Sequence, residues 1–389
     1  MTSSAFIAHL LDPLVDPQYA DREQAYAKAF HRLTDEDKCR DYLRGFKRVS
    51  TYALDWAGDK LLIATKDNYM RLFDVENGGV EERTWLGEWM SMSTDPNNHH
   101  IAAAISWSGK CRVFDTRSSS TAVHDQDMKN TDASLKEFLF LCWSPDSRHI
   151  AVNNRSDQVY LLDLRGKAIR IGAGISMQSE VNQMVWSGVG NALWIATGGS
   201  PGRIHVLPTP GLQEEGAFSV VAHQYTTISM AVDPSSRHIA SGGGDCLVAL
   251  WDPAHRICTR TFGHATQSVT TLGFNHDGGL LAWGTGGSGS TGGEKNLTIV
   301  GTNSGTLHWQ DTTPAPVQQV KWHAKKQTLA YTLNVSQLSD ERDLLRDDML
   351  DRRDTRDRHM RDRGETRHAM RVGSSRDAAV VHLLRLPGP

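Results

Sequence analysis

The chain has 389 residues, 42 basic and 45 acidic side chains, and a formal net charge of −3. A protein without a basic excess lacks the attraction to phosphate that supplies most nucleic-acid affinity, so this balance disfavours strong RNA or DNA binding by the chain as a whole. Five cysteines, an odd number without any Cys-x-x-Cys pair, argue against a disulfide framework and a zinc site and favour a reducing compartment.

Residues 1–36 show no strand alternation and are predicted to form a helical extension. Residues 5–11 are apolar, but they lack a basic flank and an aspartate ends the run, which argues against a signal peptide or a membrane span. Further along, Tyr26, Phe30 and Leu33 fall on one face of a helix. This helix is expected either to pack on its own domain or to bind a partner, in a soluble intracellular protein.

From residue 49 onward, short apolar strands recur, and each ends in a hydrophobic-Asp or related dipeptide. The dipeptides begin at Phe73, Phe114, Leu162, Leu207 and Trp251. Their separations of 41, 48, 45 and 44 residues match the length of one four-stranded propeller blade. The sequence therefore predicts an all-β fold, a seven-bladed β-propeller over residues 37–389, which is an architecture that usually presents binding surfaces.

The last blade has three strands of its own, beginning at Pro316, and a mixed-charge Arg/Asp-rich insertion over residues 336–378 interrupts it. A missing fourth strand would leave an open edge, which propellers avoid. We predict that the segment 37–45 supplies this strand and closes the ring. The residues proposed for ring closure are Cys39, Asp41, Tyr42 and Leu43.

Blade five carries polar residues that invite a catalytic interpretation. His223, Ser241, Asp245 and Trp251 resemble the hydrogen-bonded structural tetrad of WD repeats, because they fall at the positions of its His, Ser/Thr, Asp and Trp. A buried indole N–H or imidazole needs a partner, since leaving one unpaired costs about 1–3 kcal/mol. Repeat position thus explains all four residues, and we interpret them as structural and not as a catalytic triad.

Two further motifs mimic active sites. Residues 198–202 match the Gly-x-Ser-x-Gly nucleophile elbow, and residues 287–292 match the Gly-x-Gly-x-x-Gly dinucleotide fingerprint. Both motifs require a strand that leads into a helix, whereas here strand follows strand. We therefore predict hairpin loops at both places, and no catalytic residues, cofactor or metal.

Beyond the tetrad, the order of features from residue 38 to the end resembles the WD-repeat subunit of the THO complex, the THO complex subunit 3 family. The stretches that carry the resemblance are 141–163, 239–262, 269–285, 320–332 and 379–387. The resemblance implies a nuclear, non-catalytic scaffold of the THO (TREX) assembly, which couples transcription to messenger-RNA export. It implies binding to the large helical THO subunit and, indirectly, to messenger ribonucleoprotein and an RNA helicase.

Other interpretations remain open from the sequence. The propeller would also suit a substrate receptor or a chromatin-complex adaptor, which share the fold and differ in surface. The Arg/Asp-rich insertion would suit direct RNA contact, although its balanced charge weakens attraction to phosphate. Aromatic residues near strand ends are candidate partner anchors, with core packing as the alternative for at least half of them. These candidates are Trp85, Trp89, Trp107 and Trp309.

Overall fold

The protein is described here by a computed structural model. It describes residues 40–41, 51–65, 68–76, 80–118, 122–166, 168–172, 174–209, 211–212, 216–286, 295–313, 315–334 and 381–386. These residues form seven antiparallel sheets, and each sheet is one blade.

Blades one to three follow each other along the chain. Blade one contains β2 (Thr51–Ala57), β3 (Lys60–Thr65), β4 (Tyr69–Asp74) and β5 (Val80–Leu86). Blade two contains β6 (Trp89–Thr94), β7 (Ile101–Ser106), β8 (Lys110–Asp115) and β9 (Ala122–Asp127). Blade three contains β10 (Phe138–Trp143), β11 (His149–Asn154), β12 (Gln158–Asp163) and a divided outer strand, β13 (Arg170–Ile171) and β14 (Ile175–Ser176).

Blades four to six repeat the pattern. Blade four contains β15 (Val181–Ser187), β16 (Ala192–Thr197), β17 (Gly202–Pro208) and β18 (Phe218–His223). Blade five contains β19 (Thr227–Val232), β20 (Ile239–Gly243), β21 (Val248–Asp252) and β22 (Ile257–Phe262). Blade six contains β23 (Val269–Phe274), β24 (Leu280–Thr285), β25 (Asn296–Gly301) and β26 (Leu307–Thr312).

Blade seven combines the two ends of the chain. It contains β27 (Val317–Trp322), β28 (Thr328–Leu333), β29 (Val381–Arg385) and, as its outermost strand, β1 (Arg40–Asp41). Arg40 pairs with Leu383 and Asp41 with His382. The predicted completion of the last blade by an N-terminal strand is therefore confirmed.

The blades form a closed ring through their first strands. Each first strand contacts the first strand of the next blade, and β27 of blade seven contacts β2 of blade one. The prediction of a seven-bladed β-propeller is thus confirmed. Two short 3-10 helices, Met128–Asn130 and Val189–Asn191, occur in connections, whereas the predicted N-terminal helix lies outside the described residues.

Burial explains why each strand has its sequence. The second strand of a blade lies between two neighbouring blades, so both of its faces are covered, and β16, β24 and β28 are buried along their whole length. Such strands carry nearly continuous apolar or small residues. The fourth strands face solvent on one side, and the first five residues of β9 and of β18 alternate between half-buried and exposed.

The aspartate that ends the third strand in blades one, two, three and five has a structural reason. Its carboxylate accepts a backbone N–H two residues further on and closes the turn to the fourth strand. This bond measures 3.0 Å at Asp74, 2.9 Å at Asp115, 3.0 Å at Asp163 and 2.8 Å at Asp252. In blade four, Pro208 replaces the aspartate and the strand pairing persists. The dipeptide therefore stabilises a turn without being required for a blade.

Antiparallel order gives every blade two different ends. Turns between first and second strands and between third and fourth strands lie at one end, here called lower. Turns between second and third strands, and the connections to the next blade, lie at the other, here called upper. In blades two to seven an upper turn donates a backbone N–H to the connection that precedes the same blade, for example from Trp107 to Glu88 and from Gly244 to Thr226.

The junction of blades seven and one, here called the closing seam, has its own polar contacts. Trp56 Nε1 donates to the Lys321 carbonyl at 3.0 Å, and the Trp56 ring meets His323 edge-on at a centroid distance of 4.8 Å. His323 Nδ1 accepts two backbone N–H groups, from Lys325 and Lys326, so its Nε2–H donates to Asp59 at 3.1 Å. The seam therefore joins an indole, an imidazole and a carboxylate across the two blades.

A lysine completes the closing seam. Lys326 Nζ lies 2.9 Å from Asp59 and also forms an ion pair with Glu76 of blade one. Hydrogen bonding from Lys326 holds the pKa of the Asp59 carboxyl below its usual value, and burial lowers the pKa of His323. Asp59 is thus charged and His323 neutral near neutral pH, which is the arrangement these contacts require.

Candidate interaction surface

The four predicted tetrad residues lie together in blade five and its approach. His223 is the last residue of β18, Ser241 lies in β20, Asp245 lies in the following turn, and Trp251 lies in β21. Trp251 Nε1 is 2.9 Å from Ser241 Oγ, which is 2.8 Å from His223 Nε2. His223 Nδ1 is 2.9 Å from Asp245. The structure therefore brings all four side chains into one hydrogen-bonded chain.

All the hydrogen bonds of the tetrad point in the same direction, from Trp251 towards Asp245. Trp251 N–H donates to Ser241, the Ser241 hydroxyl donates to His223 Nε2, and His223 Nδ1–H donates to the Asp245 carboxylate. Burial lowers the pKa of His223, which agrees with a neutral imidazole that accepts at Nε2. Ser241 is fully buried, with an exposed fraction of 0%. Its hydroxyl is thus committed to the network and closed to a substrate.

The tetrad also positions two upper loops. The Asp245 carboxylate accepts the backbone N–H of Gln224 at 2.9 Å and that of Leu247 at 3.3 Å. Gly244 N–H donates to the Thr226 carbonyl at 2.9 Å. The connection 224–226 and the turn 243–247 are consequently fixed to each other at the upper end of blade five.

These fixed loops present exposed apolar residues. Tyr225 is 51% and Leu247 is 38% exposed, and we call the two residues the blade-five patch. Large apolar side chains on a preorganised surface are typical protein-binding anchors, because little conformational entropy is lost on binding. Sequence analysis missed both residues, since each lies in a turn where no periodic pattern distinguishes an exposed side chain from a buried one.

The predicted tryptophan anchors have different surroundings. Trp89 is 3% exposed in the core between blades one and two, so its indole is not available on the surface. Trp85 is half-buried and packs on Phe114 at a centroid distance of 5.0 Å, and Trp309 packs against the core of blades six and seven. Trp107 is half-buried on an upper turn beneath Arg155. Core packing thus accounts for Trp89, Trp85 and Trp309.

The other predicted sites are described in part. Asp41 lies in β1 and pairs with His382 of β29, whereas Cys39, Tyr42 and Leu43 lie outside the described residues, as do the extension 1–36 and the insertion 336–378. The motif at 198–202 spans a turn between the paired strands β16 and β17, and the glycine-rich motif lies between the paired strands β24 and β25. In the described part of the chain, the next element after each motif is a strand.

Within the described part of the chain, no group of three or more His, Cys, Asp or Glu side chains has an arrangement that could hold a metal ion. None of the helices described there has the length and apolar character of a membrane span.

We expect Ser241→Ala to destabilise the protein by about 1–3 kcal/mol, because it leaves the Trp251 N–H and His223 Nε2 buried without a partner. The measurement is the free energy of unfolding from chemical denaturation. Ser219→Ala is the matched control, since Ser219 is exposed and accepts a hydrogen bond from the exposed Arg203, and it should change stability by less than about 0.5 kcal/mol. Equal losses in both variants would contradict a stabilising tetrad.

Comparisons with known proteins agree with this geometry. The family model described as "WD domain, G-beta repeat" matches residues 217–252 and 256–291. Each matched range begins with the fourth strand of one blade and continues into the next, and the first contains the whole tetrad. The chain is a seven-bladed WD-repeat β-propeller.

This WD-repeat propeller is similar to the Cps50 (Swd1) β-propeller domain of Myceliophteria thermophila, with a TM-score of 0.59 and 14% identity over 74% of this chain and 96% of that one. At this identity the likeness concerns the fold alone. Among curated proteins, THO complex subunit 3 of Arabidopsis thaliana is 27% identical over 298 residues, covering 75% of this chain and 88% of the relative. The WD repeat-containing protein AAC3 of Dictyostelium discoideum is 21% identical over 292 residues, which cover 68% of this chain and 59% of that protein.

The resemblance of this WD-repeat propeller to the THO complex subunit 3 family, predicted from sequence, is confirmed by the Arabidopsis relative.

Proposed function

We propose that the protein is a non-catalytic scaffold subunit of a nuclear THO assembly, which couples transcription to messenger ribonucleoprotein assembly and messenger-RNA export. The observation that carries this proposal is the similarity to THO complex subunit 3, which extends over 88% of that relative. The similarity therefore extends over most of both chains and does not depend on one short motif. The alternative roles as a substrate receptor or chromatin adaptor rest on the shared fold alone.

The fold supports a scaffold role through its surface. The buried tetrad accounts for the His, Ser and Asp that suggest catalysis, and the same network holds the blade-five patch in place. The exposed side chains of Tyr225 and Leu247 would pack against apolar residues of a partner protein. We infer that the patch binds another THO subunit, chiefly the large helical one that the sequence resemblance implies. Messenger ribonucleoprotein and an RNA helicase would then be reached through that subunit.

Affinity purification of the full chain from nuclear extract tests the proposal, with mass spectrometry as the readout. The expected result is recovery of the other THO subunits in stoichiometric amounts. Recovery of the chain without them, or with a different complex, would contradict the THO role.

Two variants test the blade-five patch in the same experiment. Tyr225→Glu combined with Leu247→Glu is expected to reduce recovery of the large subunit about tenfold or more, because apolar anchors at interfaces each contribute about 2 kcal/mol. Val123→Glu is the matched control, since Val123 is 55% exposed on the outer strand of blade two. If the control reduces recovery as much as the double variant, the patch is not the binding surface.

A further inference from the structure

The blade-five patch continues down the side of the propeller, between the outer parts of blades four and five. Leu247 directly precedes β21, in which Ala249 and Trp251 pack into the core that blade five shares with blade four. Side chains alternate along an extended strand, so Leu247 points to the same side as these two residues. The patch therefore lies at the upper end of a surface that both blades form.

Both blades contribute side chains to this surface. In β22, two exposed residues pair with the residues of β21 that face blade four. In β18, alternate apolar residues are half-buried and pack towards blade five. We call this surface the inter-blade strip, and it consists of Phe218, Val220, Ala222, Leu247, Cys258 and Thr261.

A small residue leaves the inter-blade strip uncovered. Three residues before its last residue, β21 has Ala249, whereas β4, β8, β12 and β17 have a long side chain at this position. In blade two, for example, Arg112 forms an ion pair with Asp125 of the fourth strand and lies across that side of the blade. The residues at the four positions are Arg71, Arg112, Tyr160 and His205. Among the described residues, blade five has no such cover.

The charges around the inter-blade strip differ between its two ends. At the upper end, the Asp245 carboxylate accepts three hydrogen bonds, from the tetrad histidine and two backbone N–H groups. At the lower end, Asp252 is bonded within its own turn, to His255 at 2.6 Å. Arg256 stacks on the Phe218 ring at 5.8 Å, and its guanidinium has no ionic partner in the described part of the chain. The strip is thus largely apolar, with a cation at its lower end.

The shape of the inter-blade strip restricts the partner segment. It presents side chains and not the edge of a strand, so a bound segment must satisfy its own backbone hydrogen bonds, as a helix does. Its length is that of β18, which spans six residues, Phe218–His223, or about 17 Å. An α-helix covers this distance in about 11 residues, or three turns, with apolar residues at i, i+4 and i+7 on one face.

We propose that the inter-blade strip binds a three-turn amphipathic helix of the partner protein. Its apolar face lies on Val220, Ala222 and Leu247, and an aspartate or glutamate at one end of this face lies on Arg256. At the other end of the strip the acid would meet the carboxylate of Asp245, which fixes it at the lower end. The inference rests on the proposed binding of the large helical subunit to the blade-five patch, and it names the kind of segment that this subunit supplies.

The test uses the full chain and three pools of capped peptides of about 14 residues, which is enough for three helical turns. The first pool has randomised apolar residues at helical spacing and a glutamate at one end of the same face. The second pool has lysine in place of the glutamate, and the third has the apolar residues at alternate positions, as a strand would. Equilibrium dialysis with mass spectrometry measures retention. The first pool is expected to be retained about tenfold better than either of the others.

Variants locate the binding site. Arg256→Glu should reverse the preference, so that the lysine pool is retained better than the glutamate pool. Thr261→Arg should lower retention of the first pool about tenfold, because it places a long charged side chain across the strip, as Arg112 does in blade two. Val123→Arg is the matched control on the exposed face of β9 and should leave retention unchanged. An unchanged result in Thr261→Arg would overturn the proposal.

Cys258 supplies a readout that needs no substitution. Its thiol is exposed on the inter-blade strip, so a bound helix should slow its alkylation by a maleimide about tenfold when the peptide is at about ten times its Kd. Mass spectrometry of the peptide that contains Cys258 measures the rate. Unchanged alkylation with the first pool bound, equal retention of the three pools, or better retention of the alternating pool would overturn the proposal. A dimer of the free chain that hides Cys258 would overturn it too.

The same alkylation of the purified assembly separates this inference from the THO role. Recovery of the THO subunits with Cys258 as reactive as in the free chain would overturn the helix on the strip and leave the THO role in place. Protection of Cys258 by the first pool, without recovery of THO subunits from nuclear extract, would contradict the THO role and support the helix site.

Discussion

Trp56→Ala at the closing seam is expected to lower the free energy of unfolding by about 3–5 kcal/mol, the usual loss for a buried aromatic residue replaced by alanine. Trp56 is 3% exposed, it packs edge-on against His323, and its indole donates to the Lys321 carbonyl of blade seven. The substitution removes apolar contacts and a hydrogen bond between the two ends of the chain. Urea denaturation followed by circular dichroism measures the loss.

Smaller substitutions separate the hydrogen bond from the packing. Trp56→Phe keeps most of the ring and removes the donor, so we expect a loss of about 1–3 kcal/mol. Trp143 and Trp322 make the same kind of bond across other interfaces, to the carbonyls of Ser93 and Gly273 at 2.9 and 3.1 Å. Their phenylalanine variants are matched controls and should lose a similar amount. A loss below about 1 kcal/mol in Trp56→Ala would show that the seam does not hold the ring.

Deletion of residues 1–46 is expected to destabilise the whole domain by about 2 kcal/mol or more, because the fourth strand of blade seven is lost with its backbone hydrogen bonds. The described pairs in this strand are Arg40 with Leu383 and Asp41 with His382. Their removal also leaves the edge of β29 open to pairing with other molecules. Thermal unfolding and light scattering measure stability and aggregation.

A shorter deletion is the matched control for ring closure. Removal of residues 1–36 retains β1 and is expected to keep the thermal midpoint within about 2 °C of that of the full chain. If the chain lacking residues 1–46 unfolds at the same temperature as the full chain, the N-terminal strand does not stabilise the ring. If both deletions lower the midpoint equally, the stabilising segment lies before β1.

Blade number and ring closure could be predicted because local chemistry repeats. The aspartates at Asp74, Asp115, Asp163 and Asp252 mark turns that need a side-chain acceptor, and their spacing measures the blade. The position of β1 followed from counting strands in the last blade. The tetrad was predictable from the resemblance to WD repeats, because its residues fall at the positions where such repeats place His, Ser/Thr, Asp and Trp.

Surface exposure could not be predicted in the same way. Trp89 begins an inner strand, and in sequence it is indistinguishable from an exposed aromatic residue at a strand end. The structure places its ring against Gly87, where any Cβ would collide with it. Tyr225 and Leu247 are exposed because two loops are tied to Asp245, which is a property of the assembled blade. Side-chain direction in turns is set by such contacts and not by periodicity.

The contacts at the closing seam were equally hidden from sequence reasoning. They join blades one and seven, and Trp56 and His323 are separated by most of the chain. No local pattern connects residues so far apart, because their proximity follows from the closing of the ring.

The tryptophan bonds between blades differ in the length of chain that they enclose. Trp143 and Ser93 are 50 residues apart and Trp322 and Gly273 are 49 apart, whereas Trp56 and Lys321 are 265 apart. Loop-closure entropy grows with the logarithm of loop length, so the bond at the closing seam costs about 1.5 kcal/mol more to form than its counterparts. Neighbouring blades can therefore pair while the chain is still being synthesised, and the contact between blades seven and one forms last. The order of folding is thus built into the circular arrangement, and its final step is the one that forms the closing seam.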